Sequence, residues 1–389
     1  MKLGDVLEKI VGGGTPSKNR SEFWNGNIPW ASVKDINEGQ VFLSSTEDTI
    51  TEEGVKNSST NIIYKGNVIL PTRMGLGRCI INTIDTAINQ DLKALYPKKD
   101  KLDSKFLLYW LKNNSRLIES MGSGTTVKGI RIEQLTDMNF KELDLYIQQR
   151  IAKVLSNYDN LIENNNKRIK ILEEMAQKIY KEWFVDFNYP GHETATFKDT
   201  ELGKIPSDWE VKTLDNFCNI FTGKKNANAA VNKGMHKFFT CAPDPLSIDT
   251  YIYDGKAIII AGNGSYTGRT QFFDGKFDLY QRTYACTLQE GYDEYLMYTL
   301  FMIMKEKFEK KVIGGMHGAA IPYIVYDDIA KYSFAYNDNI FTKFSMMMKI
   351  YIESIFLLKK KNIRLKQTRD LLLPRLLSGE IDVDKLKIV

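Results

Sequence analysis

A shift of roughly 190 to 210 residues lays one half of this chain over the other, and no other feature limits the fold as strongly. Leu3 to Gly14 (LGDVLEKIVGGG) corresponds to Leu214 to Gly223 (LDNFCNIFTG), a short amphipathic stretch running into glycine. Tyr64 to Leu70 (YKGNVIL) corresponds to Tyr253 to Ile259 (YDGKAII), a turn feeding a buried strand. Gly75 to Arg78 (GLGR) matches Gly264 to Arg269 (GSYTGR), and the Asn89-Gln90 step matches Tyr280-Gln281. Phe106 to Leu111 (FLLYWL) and Tyr295 to Leu300 (YLMYTL) predict the same short apolar helix. Gly122 to Leu135 and Met316 to Ile329 close the series. Order and spacing persist while identity is low, as in two domains of one fold with diverged surfaces. The length agrees, since 389 residues exceed one ordinary core.

Each copy ends in a long helical pattern. In the first, Ile147, Ile151, Val154, Tyr158, Leu161, Asn165, Arg168, Leu172, Met175 and Ile179 fall at alternating steps of four and three. In the second, Phe344, Met348, Tyr351, Ile355, Leu358, Asn362, Leu365, Arg369 and Leu372 do the same. Neither stripe can be buried alone, and each is the simplest partner for the other; packing of each helix on its own module is the alternative. Asn165 and Asn362 sit at seam positions, where asparagine costs stability and fixes register. The first helix is expected to stop near Phe184, before a linker at Asn188 to Thr194. Pro374 is expected to end or bend the second. The predicted class is α/β (mixed α+β), two pseudo-repeated modules joined by two long antiparallel helices forming a coiled coil. The boundaries read 1–145 for the first module, 146–188 for the central helix and linker, 189–338 for the second module, and 339–389 for the C-terminal helix and tail.

Composition narrows the class further. A net charge of +5 permits a nucleic-acid partner without demanding one. Cys79, Cys218, Cys241 and Cys286 are far apart and read as free, mostly buried thiols. No cationic-then-apolar leader is visible. The most apolar long window, Phe344 to Leu358, contains Lys349 and Glu353 and is shorter than the ~20 residues of a spanning helix. A soluble cytoplasmic protein, away from any membrane, is the expectation.

Catalytic motifs are lacking. His192, His236 and His317 have no second ligand at zinc spacing, and no G-x-S-x-G, Walker or Rossmann signature is present. The Asn-Pro-Pro-aromatic motif of adenine methyltransferases is absent too. Pro243-Asp244 followed by Asp254-Gly255-Lys256 imitates a nuclease metal site. The repeat aligns that segment with Lys65-Gly66-Asn67, a plain turn without a carboxylate. No catalytic residue, metal site or cofactor is therefore expected in this chain.

The polar loops carry the functional signal. Gly12 to Arg20 (GGGTPSKNR) offers a backbone capable of close approach, followed by Thr15, Ser17, Lys18, Asn19 and Arg20. Such hydroxyls and cations meet phosphate oxygens and base edges. Arg78 and Arg269 each follow a glycine turn and could pair bidentately with guanine or phosphate, while Gln90 and Gln281 suit adenine. Ser123, Thr125, Thr126, Lys128 and Arg131 form a third polar loop. Arg73 in the first copy, and Lys224, Lys225, Asn263, Tyr266, Arg282, His317 and Tyr323 in the second, complete the candidate DNA-binding set. Each loop alone could be merely solvated; their recurrence with altered side chains favours recognition. Trp24 and Trp30 read as core.

Four segments resemble a known family. Gly13 to Ser17 (GGTPS) with Ile28-Pro29-Trp30, Lys181 to Phe187 (KEWFVDF), Glu201 to Glu210 (ELGKIPSDWE) and Arg369 to Glu380 (RDLLLPRLLSGE) are similar to the specificity (S) subunit of type I restriction–modification enzymes. The resemblance covers essentially the whole chain, although the first copy starts at Lys2-Leu3-Gly4 without the opener of the second. It implies two target recognition domains, each binding one half of a split, asymmetric double-stranded DNA site. It also implies helices that dock two methyltransferase (M) subunits, which two restriction (R) subunits can join. S-adenosylmethionine, Mg and ATP would belong to those partners. The first helix, roughly 38 residues or about 57 Å, would suit half-sites about one to one and a half duplex turns apart. A protein-binding scaffold with two modules on a helical spacer is the competing reading.

Overall fold

Val68–Pro71 and Ile80–Asn82 are short apolar runs buried at every position, as strands inside a covered sheet must be. They lie at the centre of the first of two compact units, Met1–Asn165 with Lys360–Val389, and Asn166–Lys359. The structure is a computed structural model and describes residues 1–124, 127–313 and 323–386. Thr125, Thr126 and His317 of the predicted site lie outside the described residues.

The first unit contains β1 (Leu7–Gly12), β2 (Trp24–Ala31), β3 (Phe42–Leu43), β4 (Asp48–Ile50), β5 (Asn61–Ile63), β6 (Val68–Pro71), β7 (Ile80–Asn82), β8 (Thr86–Ile88) and β9 (Leu92–Pro97). Its main sheet runs β1-β9-β6-β7-β3, with β3 parallel to β7 and the other pairs antiparallel. A smaller sheet runs β4-β2-β8-β5. The second unit contains β10 (Phe197–Thr200), β11 (Gly203–Pro206), β12 (Glu210–Thr213), β13 (Cys218–Thr222), β14 (His236–Phe239), β15 (Leu246–Ile248), β16 (Tyr253–Ala261), β17 (Thr270–Leu279), β18 (Thr283–Leu288) and β19 (Ser333–Tyr336). Its main sheet runs β13-β18-β16-β17-β14-β15, and β14 is again parallel to β17. The first five strands in each order correspond one to one. The repeat is therefore a repeat of topology.

The apolar helix is duplicated as well, at Ser104–Asn113 and Leu296–Ile303. Asp103 caps the first copy, its carboxylate accepting the Phe106 N–H at 2.9 Å. Phe106 to Leu111 are all buried, because sheet residues such as Val68 and Leu70 cover one side and Ile151, Ala152 and Leu155 of the long helix cover the other.

The long helices are Leu145–Phe184 and Asp338–Ser378, and each contributes one part to each unit. Within the first unit, Asn165 Nδ2 donates to Asn362 Oδ1 at 2.8 Å, and Asp159 pairs with Arg369, so the parts run antiparallel. Within the second, Phe184 packs edge-on against Phe344 at 4.8 Å, and Ile169 joins Ile355 and Leu358. The predicted stripe on the second helix is buried or half-buried throughout. On the first helix it drifts: Leu161, Arg168 and Met175 are exposed, while Leu155, Asp159, Ile169, Ala176 and Tyr180 are buried. Each of these buried residues follows a predicted seam position by one, at the same spacing, so the buried face is turned by about one residue around the helix. Pro374 does not end its helix, which runs on to Ser378. Leu372, Leu373, Leu376 and Leu377 pack on the first unit's core there, and that burial outweighs the ~3 kcal/mol a helical proline costs.

Polar contacts hold module and helices together. Tyr109 donates to Asp159 Oδ2 at 2.5 Å, and Arg369 binds the other carboxylate oxygen. Burial, then the neighbouring Asp159, pushes the Tyr109 hydroxyl far up, so it remains a donor. Its counterpart Tyr298 donates to Glu353 at 3.0 Å. Because Asp159 and Arg369 are only 3% and 8% exposed, removing one charge strands the other. Arg369→Met should destabilise the chain by about 3 kcal/mol or more in urea unfolding, and the Asp159→Leu/Arg369→Met pair by less. A double-variant loss equal to the sum of the two single losses would show that the pairing contributes nothing.

Candidate nucleic-acid interface

The glycine-rich loop is clamped to its own sheet. A Cβ on Gly13 would sit 1.9 Å from the Ile88 carbonyl oxygen, so only glycine allows that approach. Gly14 donates its N–H to Ile88 O at 3.0 Å, and its carbonyl accepts the buried Trp30 indole N–H at 3.1 Å. Asn61 holds the Gly12 carbonyl at 2.8 Å. The close approach expected of these glycines is thus made within the chain, and what reaches solvent is the segment after them. Ser17, Lys18, Asn19 and Arg20 are exposed, with Arg20 paired to Glu22 at 3.0 Å. In the second unit Gly223 is pressed on Leu279 O in the same way, at 1.8 Å for a built Cβ, followed by exposed Lys224.

Three further segments meet this loop end. Thr72 donates its N–H to Asp91 O at 2.8 Å, and Ile130 donates to Thr72 O at 3.0 Å. Arg73 bridges Gly129, and Gly129 bridges Ser123. Exposed Arg73, Gln90, Ser123 and Lys128 are therefore gathered by backbone bonds, and Thr15 Oγ1 donates to Gln90 Oε1 at 2.6 Å. The second unit repeats these bonds. Gly262 donates to Arg282 O at 2.9 Å, Ile324 donates to Gly262 O at 3.0 Å, and Asn263 bridges Tyr323. Gln281 donates its N–H to Lys225 O at 2.9 Å, and Gln281, Arg282, Tyr284, Gly262 and Ile324 line a polar recess.

One backbone frame thus carries two sets of side chains. Arg73 and Gly129 in the first unit stand where Asn263 and Tyr323 stand in the second, and Asp91 where Arg282 stands. The first set has an acid and the second a cation at the same corner. A constant frame with changed hydrogen-bonding groups is what reading two different surfaces requires.

The profile described as "Type I restriction modification DNA specificity domain" matches residues 1–174 and 206–336, most of the chain. This chain belongs to that type I specificity family. The family is one of DNA specificity, not of methyl transfer or strand cleavage. The MjaIX specificity subunit of Methanocaldococcus jannaschii is 28% identical over 99% of this chain and 94% of its own length. The EcoR124I/EcoR124II specificity subunit of Escherichia coli is 32% identical over 50% of this chain and 49% of its own. The crystal structure of the S subunit from M. genitalium shares the fold, with a TM-score of 0.66 at 16% identity over 97% of this chain and 95% of that one.

Other predicted site residues of this specificity chain stand apart from the gathered set. Arg78 is half-buried and donates to Ile36 O at 3.2 Å, while Arg269 lies over the Tyr266 ring at 5.8 Å. Arg131 is exposed at the start of a short helix, its N–H held by Gln134 at 3.0 Å. Lys225 Nζ is half-buried on Asp278 at 2.6 Å and also contacts Thr250. Burial alone would raise the Asp278 carboxyl, but bonds from Lys225, Thr250 and the Leu279 N–H hold it below the ordinary range. Asp91, Asn61 and Asp278 escaped sequence reading. Asp91 directly follows Gln90 and Asp278 lies three residues before Gln281, which was the available signal.

Lys256 Nζ, part of the nuclease-like segment, is paired with Glu294 at 2.5 Å. Among the described residues no group of three His, Cys, Asp or Glu is placed to hold a metal, and no helix is long and apolar enough to cross a membrane. Gly13→Ala and Gly223→Ala should each cost about 1–3 kcal/mol, read as a lower midpoint in thermal unfolding, because backbone must shift to admit the methyl. Wild-type midpoints for both would refute the clamp.

Proposed function

We propose that this chain selects a bipartite, asymmetric DNA site, one half read by each unit, for partner subunits that carry the chemistry. The observation that supports this is the duplicated backbone frame with unlike side chains on it. In the first unit the proposed contacts are Thr15, Ser17, Lys18, Asn19, Arg20, Arg73, Arg78, Gln90, Ser123, Thr125, Thr126, Lys128 and Arg131. In the second they are Lys224, Lys225, Asn263, Tyr266, Arg269, Gln281, Arg282, His317 and Tyr323. Exposed lysines such as Lys128 and Lys224 suit phosphates, and side chains at the gathered corner suit base edges.

The partners in this reading are two methyltransferase subunits docked through the long helices, and two restriction subunits in the complete enzyme. S-adenosylmethionine, Mg and ATP then belong to those chains. The docking proposed here rests on the family and the duplicated helices.

Methylated-base sequencing of cells with and without the gene tests the reading. It should reveal one bipartite motif that depends on the chain; absence of any such motif in cells holding active partners would overturn it. Arg73→Ala should change preference only in the first half and Asn263→Ala only in the second, by about 1–3 kcal/mol where a base contact is lost. Lys224→Ala should instead reduce the slope of log affinity against log salt by about one and leave the motif intact.

A further inference from the structure

Among the described residues, Gln90 is the one predicted base reader whose side chain is held on both sides of its amide. Thr15 Oγ1 lies 2.6 Å from its Oε1, and its Nε2 faces Asp91 Oδ2 at 3.4 Å. The second contact decides the orientation, since a carboxylate only accepts and the amide nitrogen must turn toward it. Thr15 must then be the donor to Oε1. One lone pair on Oε1 and one hydrogen on Nε2 are left for a ligand.

Both holding groups are themselves held. Asp91 donates its N–H to Asn89 Oδ1 at 3.1 Å, and its carbonyl accepts the Thr72 N–H at 2.8 Å and the Thr72 hydroxyl at 3.2 Å. Asn89 is only 6% exposed. Thr15 follows Gly14, whose N–H and C=O are both bonded. By contrast, the Gln281 side-chain amide makes no hydrogen bond among the described residues.

We propose that Thr15 and Asp91 are positioning residues that lock the Gln90 amide as a fixed acceptor–donor fork, specific for adenine at one position of the first half-site. This rests on the DNA-reading function proposed above. Adenine presents a donor at N6 beside an acceptor at N7, which the fork matches with two bonds. Guanine presents two acceptors and thymine one acceptor beside a methyl group, so neither satisfies both arms. An amide free to turn over could donate to guanine O6 or thymine O4 instead. The lock supplies selectivity; Gln281, whose amide has no such bond among the described residues, lacks it.

The test is the methylation motif made in cells by the complex containing Thr15→Val, Asp91→Asn or Gln90→Ala. The wild type should show an invariant adenine in the first half-site. Each variant should lose at least about fivefold in preference at that one position, with the second half-site unchanged. Thermal unfolding of each purified chain checks that the variants fold, and Thr15→Val, at a surface hydroxyl, keeps the test open if Asp91→Asn does not. An unchanged motif in folded Thr15→Val and Asp91→Asn chains would overturn the lock. So would relaxation at a position occupied by another base. The absence of any chain-dependent motif in the wild type would instead strike the parent reading.

Discussion

The buried carboxylate of Asp159 is where three separate pieces of the first unit meet. It accepts from Tyr109 on the module's short helix and pairs with Arg369 on the C-terminal helix, while belonging to the central helix. A charge that is 3% exposed survives only if its partners satisfy it, so all three pieces must arrive together. The second unit solves the same problem more cheaply, with Tyr298 on the partly exposed end of Glu353. The repeat therefore extends from the modules to the way each is fastened to its helices.

Above that fastening, the structure separates what is kept from what is changed. Gly13 and Gly223 are pressed on equivalent carbonyls, and the Thr72 and Gly262 amides bond equivalent acceptors. These are backbone interactions, indifferent to neighbouring side chains. Polar groups projecting from the frame can then vary at little cost to the fold, because they are solvated. Arg73 and Asn263, or Asp91 and Arg282, are exchanges of that kind. A recognition protein needs this division, since its specificity must change while its sheet does not.

The fold was largely legible because its signals are local and repeated. Apolar runs such as Val68 to Leu70 and Ala257 to Ala261, the twinned FLLYWL and YLMYTL helices, and the asparagines at seam positions all read directly as structure. The site was legible as a set of loops and less so as an arrangement. Arg78 looked like the counterpart of Arg269, yet it is engaged with Ile36 O. Arg73, two residues past the end of its strand at Pro71, gains its place from a bridge to Gly129, a contact between segments distant in sequence. No local pattern encodes such a contact.

By itself, then, the sequence determined the duplication, the helical seams, the class of the modules and the family. Periodicity and spacing are properties of neighbours along the chain. The tertiary structure alone decided which face of the first helix is buried, that Pro374 stays helical, and that the glycine loop closes on its own sheet. It also decided that the Gln90 amide is held and that, among the described residues, the Gln281 amide is not. Each of these is settled by competition between local preference and burial or hydrogen bonding against distant residues, and only the assembled fold says which term is larger.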